Sequence, residues 1–416
     1  MGFLNHLKLR FYIAMTSVIL VSLQIYAQTE DDYEYERASV CMMLIKHPAK
    51  QFGCEIQYVF SRMQLPERFN DHDLGVRLVS FAEEKNPEKN ISLFAQKVSL
   101  GRRMVAKWFN RDKTNGKMNM ELIRERGLYN STQSDINSAR IQLRGESLLA
   151  DAGEYLLNNT YFIMHDITYV DKSVGWGIFK DVLNVSSGLA EIWISKGSVS
   201  PGDNPFENPS IASINAVLED IKGFSVKIKS YLYRLKWNED IANQFYSQYY
   251  VDDTSFDEGK ASSFDKSASL FDLEYVGMVE NKQSNTTLNG TTTNEQLIRK
   301  VCTRAVDKNL ADLQHKFEDF RIKAPLVSTS PLKAYIGMKE DMSEASRFEV
   351  LERTIDKKGK VKYNRVGVIK PIKGKIWDNR YWASEEGTET SSLGFSSFEK
   401  VSGGNFYPGM LIREIK

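Results

Sequence analysis

The chain has 416 residues, with 55 Lys and Arg against 54 Asp and Glu and only three cysteines. An apolar fraction of 42% with 26% charged residues belongs to an ordinary globular protein and excludes a disordered or collagen-like chain. A formal charge of +1 argues against a dedicated nucleic-acid binder, and three cysteines exclude a disulfide-built mini-fold or a multi-cysteine zinc module.

The first 27 residues read as an export signal. Lys8 and Arg10 precede an uncharged apolar stretch, Phe11 to Leu23, and Ile25-Tyr26-Ala27 offers a cleavage site. Thirteen residues rising ~1.5 Å each reach roughly 20 Å, short of a bilayer core of about 30 Å. No cysteine lies directly after the stretch, which argues against lipoprotein attachment. Losing Lys8 and Arg10 takes the formal charge from +1 to −1. No later segment holds 18 uncharged apolar residues, so the expectation is an exported chain that is periplasmic, outer-membrane-associated or secreted.

Residues 28–36 form an acidic leader with Glu30, Asp31, Asp32, Glu34 and Glu36. An α+β body is expected over 37–325, carrying an apolar insertion at 174–209. Its first strand runs Arg37 to His47 and its first helix Lys50 to Met63. Cys41 and Cys54 enclose a 12-residue loop that an oxidising compartment would allow to close; both also fit as small buried hydrophobes. A strand follows at Val76 to Phe81, a helix at Leu93 to Phe109, and a turn around Asn115-Gly116. Helices at Met118 to Arg126 and Asp135 to Tyr155 lead to a strand at Asn158 to Val170.

Phe224, Val226 and Ile228 alternate cleanly, but beyond Ser230 the apolar set becomes Tyr231, Tyr233, Leu235 and Trp237. That change of face predicts a bulge or a strand leaving its layer. Ser284 to Asn294 reads as an exposed loop. The clearest helix is Glu295 to Phe320, opened by a Thr293/Gln296 capping box. Ile298, Cys302, Val306, Leu310, Leu313, Phe317 and Phe320 recur on one face, which assigns Cys302 to the core.

After Ala324-Pro325 and Ser330-Pro331 come short strand-like runs: Lys333 to Gly337, Arg347 to Thr354, Val361 to Lys370, Gly374 to Asp378, Phe395 to Val401 and Met410 to Ile415. Five or six strands over 326–416 predict a small β-barrel-like domain. The whole is thus α+β, a sheet with packed helices followed by a small C-terminal barrel. Arg347-Phe348-Glu349-Val350, Val366-Gly367-Val368-Ile369 and Tyr407-Pro408-Gly409-Met410 resemble the SH3-like carboxyl-terminal domains of flagellar-assembly-type proteins. The stretch Gly145 to Asp166 looks like a strand–helix unit of periplasmic proteins such as the curli secretion channel. Taken whole, the chain resembles an uncharacterised family of exported Gram-negative envelope proteins, which implies location and architecture rather than chemistry.

A search for catalytic chemistry finds no HExxH, GxSxG, Walker loop, GxGxxG or EF-hand spacing. Asp71-His72-Asp73 suggests a metal site, but its setting reads as a turn opening a strand. His165 and Asp166 point to opposite faces of a strand and cannot act together. His315 falls on the polar face of its helix and is expected in solvent. Glu83-Glu84 and Glu385-Glu386 are adjacent acids rather than a pair facing across a substrate. No cofactor and no metal are expected.

Two features carry more information. Lys357, Lys358, Lys360, Lys362, Arg365, Lys370, Lys373 and Lys375 fall in a short run without an acid, suited to phosphate or carboxylate groups or, more plainly, to a solvated edge that discourages strand aggregation. Val174 to Ile194 places Trp176, Phe179, Val182, Leu183, Leu189 and Trp193 near one helical face, which either docks on the body or meets a protein or lipid partner. The expectation is a non-enzymatic interaction or assembly module contacting an envelope protein, a membrane surface or an anionic wall polymer, and no nucleic acid. The alternatives are a hydrolase acting on an envelope glycan, or a carbohydrate-binding module using Trp377, Tyr381 and Trp382.

Overall fold

A computed structural model describes residues 38–47, 53–66, 68–81, 86–129, 155–171, 222–267, 269–287, 293–355 and 361–415. The expected export signal, acidic leader and 174–209 insertion, with Trp176, Phe179 and Trp193, lie outside the described residues. So does most of the helix expected over 135–155.

The fold is α+β, with two sheets. The first is built on β1 (Ala38–Ile45), every residue of which is buried. A strand covered on both faces reads as a continuous apolar run rather than an alternating one. Parallel to β1 lie β2 (Phe69–Asp71), β3 (Leu78–Val79) and β4 (Thr160–Asp171). Antiparallel β5 (Lys222–Leu235) and β6 (Leu273–Thr287) complete the order β2-β1-β4-β5-β6, with β3 also on β1.

Helices cover both faces. On one, α1 (Gly53–Arg62) and α7 (Asn294–Lys316) pack Ile56, Phe60, Ile298, Val306 and Leu310 against Val40, Met42 and Leu44. On the other lie α2 (Pro87–Lys97), α3 (Leu100–Trp108), α4 (Glu121–Tyr129), α5 (Glu239–Gln248) and α6 (Glu258–Phe264). They meet Cys41, Met43 and Ile45. The single helix expected over 93–109 is two, because Ser99 adopts a left-handed conformation (φ 51°) that breaks the turn between α2 and α3.

This layering corrects the expected disulfide. Cys41 points into the α3 core, whereas Cys54 sits exposed on α1, across the opposite face of the sheet. A bridge would have to pass through β1. All three thiols are free, and Cys302 is buried in the α7 core.

It also explains the change of face in β5. No bulge occurs at Ser230: β5 pairs with β4 in unbroken register from Tyr161–Arg234 to Asp171–Phe224. Val226, Ile228 and Leu232 stay on the α7 face while Tyr231, Tyr233 and Leu235 enter the opposite core. The second apolar face begins where the second helical layer begins. The register shift is one strand over, beside Gly277 in β6, where the missing side chain makes room for the Phe317 ring. β6 continues to Thr287, into the expected loop, because Lys222 to Ser225 of β5 supply a pairing partner.

The capping box of α7 is present, Thr293 Oγ1 accepting from Gln296 N at 3.2 Å and Gln296 Oε1 from Thr293 N at 2.9 Å. Phe317 turns extended and ends the helix, and Glu318–Phe320 forms a separate 3₁₀ turn.

The second sheet is a curled half-barrel of seven antiparallel strands. They are β7 (Ala324–Pro325), β8 (Ser328–Thr329), β9 (Leu332–Ala334), β10 (Arg347–Ile355), β11 (Val361–Pro371), β12 (Ser396–Gly403) and β13 (Leu411–Ile415), in the order β7-β13-β10-β11-β12-β9-β8. Leu326, Ile336, Phe348, Val350, Ile369, Phe398 and Ile412 fill it. β7 and β8 are too short to show as propensity runs. The strand expected at 374–378 is instead a turn with one bridge, Trp377 to Gly337.

Candidate functional site: the basic strand and the seam between the sheets

Besides its apolar stripe, α7 carries a second row at helical spacing: Lys300, Arg304, Asp307, Lys308 and His315. Such a row ordinarily faces water, but here it meets the half-barrel. Glu386 binds Lys300 and, at 2.7 Å, Arg304, which also donates to Tyr381 O at 3.0 Å. Burial pushes the Glu386 carboxyl up, but these two cations outweigh it and hold it below its usual range. Lys308 bridges Asp312 (2.7 Å) and Asp341 (2.6 Å). Lys339 stands 3.8 Å from Asp307, whose burial raises its carboxyl above the usual range, partly countered by Lys339 and Arg68.

His315 is therefore not simply solvated. Its Nε2 pairs with Glu414 at 2.7 Å, and that bond raises the imidazole above its ordinary value against the effect of burial. From the loop before β2, Arg68 reaches across to Glu340. Glu340 Oε2 in turn accepts from Gly337 N (2.7 Å) and Asn379 Nδ2 (2.8 Å).

The seam holds a half-open cavity of about 620 Å³. Leu65, Phe348, Trp377 and Ile412 give it apolar walls, and Arg68 and Gln314 line it with buried polar groups. Nothing in the sequence marks Arg68 or Gln314, since each lies in a segment whose burial depends on a partner sheet far along the chain. The only available signal was the second row on α7, which reads equally well as a solvated face.

The basic run is divided. Lys357, Lys358 and Lys360 lie outside the described residues. Lys362, Arg365, Lys373 and Lys375 are exposed, while Lys370 pairs with Glu399 of β12 at 2.7 Å. The cations do not share one face. A bulge in β11 puts Arg365 opposite Leu351 and Gly367 opposite Val350, so Arg365 and Lys370 project from the convex face while Lys362, opposite Thr354, takes the other. Lys373 and Lys375 sit in the turn after β11, closed by Lys375 N donating to Ile372 O at 3.0 Å. Among the described residues Arg365, Lys373 and Lys375 have no carboxylate within ion-pairing distance.

The remaining expectations resolve locally. Asp71 Oδ1 accepts from Asp73 N (3.0 Å) and Asp73 Oδ1 from Gly75 N (2.9 Å), with Arg77 on both carboxylates, while His72 points into the core. There its Nε2–H donates to Met104 O (2.9 Å) and its Nδ1 accepts from Arg126 (3.2 Å). Burial keeps this imidazole neutral and holds Arg126, stacked on Trp108, down at about 10. Among the described residues no three His, Cys, Asp or Glu side chains converge on a common point.

His165 and Asp166 do point apart. His165 hydrogen-bonds Ser230 Oγ (2.7 Å), which also accepts from Asn309 (2.7 Å), and Asp166 bonds His47 (2.6 Å). Glu83 and Glu84 lie outside the described residues, and Glu385 accepts from Ser384 Oγ (2.8 Å). Tyr381 and Trp382 stack on one another, with centroids 5.6 Å apart, while Trp377 turns its indole N–H to Ser391 O (3.2 Å) and lines the cavity.

These features define a two-sheet α+β protein whose half-barrel is clamped by ion pairs to one helix of the body and, on its central strand β11 and the turn after it, presents cations that meet no carboxylate among the described residues. Among the described residues no helix is long and apolar enough to cross a membrane. The sequence matches no protein-family model and no curated protein.

Proposed function

We propose that this is an exported, non-enzymatic envelope protein that works as an interaction module, holding an extended anionic wall polymer along β11 and the turn after it. The observation that carries the reading is the contrast between two sets of cations. Along the seam every basic side chain of the α7 row faces an acid, whereas Arg365, Lys373 and Lys375 are exposed and face none among the described residues.

Their spacing favours a polymer over a compact ion. From Arg365 to the end of β11 is about 20 Å at ~3.3 Å per residue, and Lys373 and Lys375 lie beyond it. Cations spread in that way gain most from a ligand carrying repeated negative charge. The export signal at 1–27 and the resemblance to exported envelope proteins support the location.

The test is co-sedimentation of the full chain with isolated peptidoglycan sacculi at low and high salt. Binding is expected at low salt, weakening as salt screens it, and strongly reduced in the triple variant Arg365→Glu, Lys373→Glu, Lys375→Glu. Equal retention of the triple variant, or retention indifferent to salt, would overturn the proposal. Sequencing of the mature amino terminus from an envelope fraction should begin at Gln28.

A further inference from the structure

We propose that the cavity between the two sheets binds a small amphipathic anion, a carboxylate or phosphate group on an apolar body, through Arg68 and Gln314. This site is separate from the basic strand and does not rest on its reading.

Arg68 is 5% exposed and Gln314 7%, and both line the cavity. Arg68 Nη1 is committed to Glu340 and its guanidinium lies over the Phe69 ring, but its Nε and Nη2 have no hydrogen-bond partner among the described residues, and neither has Gln314 Nε2. Buried polar groups are nearly always hydrogen-bonded, so three unpartnered nitrogens on two residues that line one cavity call for an explanation.

The carboxylates on the same wall are already occupied. Glu340 is held by Arg68, Gly337 N and Asn379, and Glu414 by His315. Beside the lining, Asp307 Oδ2 is a buried acceptor without a hydrogen bond among the described residues, and Lys339 faces it at 3.8 Å; on the lining itself the unpartnered buried side-chain atoms are donors. Arg68, Arg321 and Lys339 also outnumber Glu340 and Glu414 there. A guanidinium edge with two free N–H groups matches the two oxygens of a carboxylate or phosphate.

The rest of the wall specifies the remainder of the ligand. Leu65, Ile336, Met342, Phe348, Trp377 and Ile412 are apolar or aromatic. A volume of about 620 Å³ falls within the usual range for small-molecule sites, which pair apolar walls with a few placed polar groups. The unpartnered nitrogens are covered, so an anion meets them only when the wall over them shifts.

The full chain is titrated with phenylacetate, phenyl phosphate and neutral phenylacetamide, following the Trp377 indole N–H by NMR. Both anions, or one of them, should shift that resonance, and phenylacetamide should bind about tenfold more weakly or worse. The stronger of the two anions identifies the headgroup. Gln314→Glu, which replaces an unpartnered donor with a negative charge, should weaken the anions by about tenfold or more while the wild-type comparison of anion with amide stands without any variant. The proposal is overturned if phenylacetamide binds as tightly as the anions, or if no probe shifts Trp377 up to its solubility limit. It is equally overturned if a folded Gln314→Glu chain binds the anions unchanged.

Discussion

Lowering the pH should destabilise the body of this protein through its buried histidines, His72 and His165, and the second can be isolated. His165 is fully buried between Phe60 and Ser230, and desolvation depresses its imidazole to about 3. In the unfolded chain the same group titrates near its ordinary value of about 6.5. The stability it contributes is therefore fully present above about pH 6.5 and is lost as the pH falls toward the folded value, because only the unfolded chain takes up the proton. Between about pH 7 and pH 5 the loss amounts to about 2 kcal/mol, since the unfolded imidazole becomes almost wholly protonated and the folded one does not. His165→Met removes the ionisation with little change in side-chain volume. Urea unfolding at both pH values, for both chains, isolates the contribution: the stability difference between the two pH values should shrink by about 2 kcal/mol in the variant. Identical pH dependence in the two chains would mean that His165 reaches protons in the folded state, and the reading of the α7 core as closed would fail.

Three further outcomes follow from the same packing. Thiol labelling of the native chain should modify Cys54 alone, with Cys41 and Cys302 reacting only after denaturation, because burial shields both and pushes their thiols up to about 12; reduction should leave the electrophoretic mobility unchanged. Leu310→Ala, at a fully buried position on α7, should cost about 2–5 kcal/mol by chemical denaturation, and a cost below about 1 kcal/mol would place α7 outside the core. Glu414→Gln should lower the His315 titration measured by NMR, since the Glu414 contact is the largest influence raising it. An unchanged titration would remove that contact from the seam.

The apolar stripe and cap of α7 could be read from residues alone, because a 3.6-residue period and a Thr/Gln pair three apart are local signals. β1 and β4 were visible for a related reason, being strands buried on both faces. What escaped depends on distant partners. Nothing near Ser99 announces the break between α2 and α3, and Ser284 to Thr287 became strand only because β5 lies beside them. Of the candidate surfaces, the basic strand is a composition signal and needs no fold to be noticed, although the bulge that splits its cations between faces does. The seam is the opposite case. Lys300, Arg304, Lys308 and His315 look solvated on a helical wheel, and their acids come from residues 341, 386 and 414, whose approach is a matter of tertiary structure.

The most direct test of the central reading is photo-crosslinking in living cells from a benzophenone amino acid placed at Arg365 or Lys373, with Leu93 as an exposed control on α2. The account predicts adducts from positions 365 and 373 that carry wall-polymer fragments by mass spectrometry, and none from position 93. Adducts of the same kind and yield from all three positions, or wall-polymer adducts from none, would contradict it.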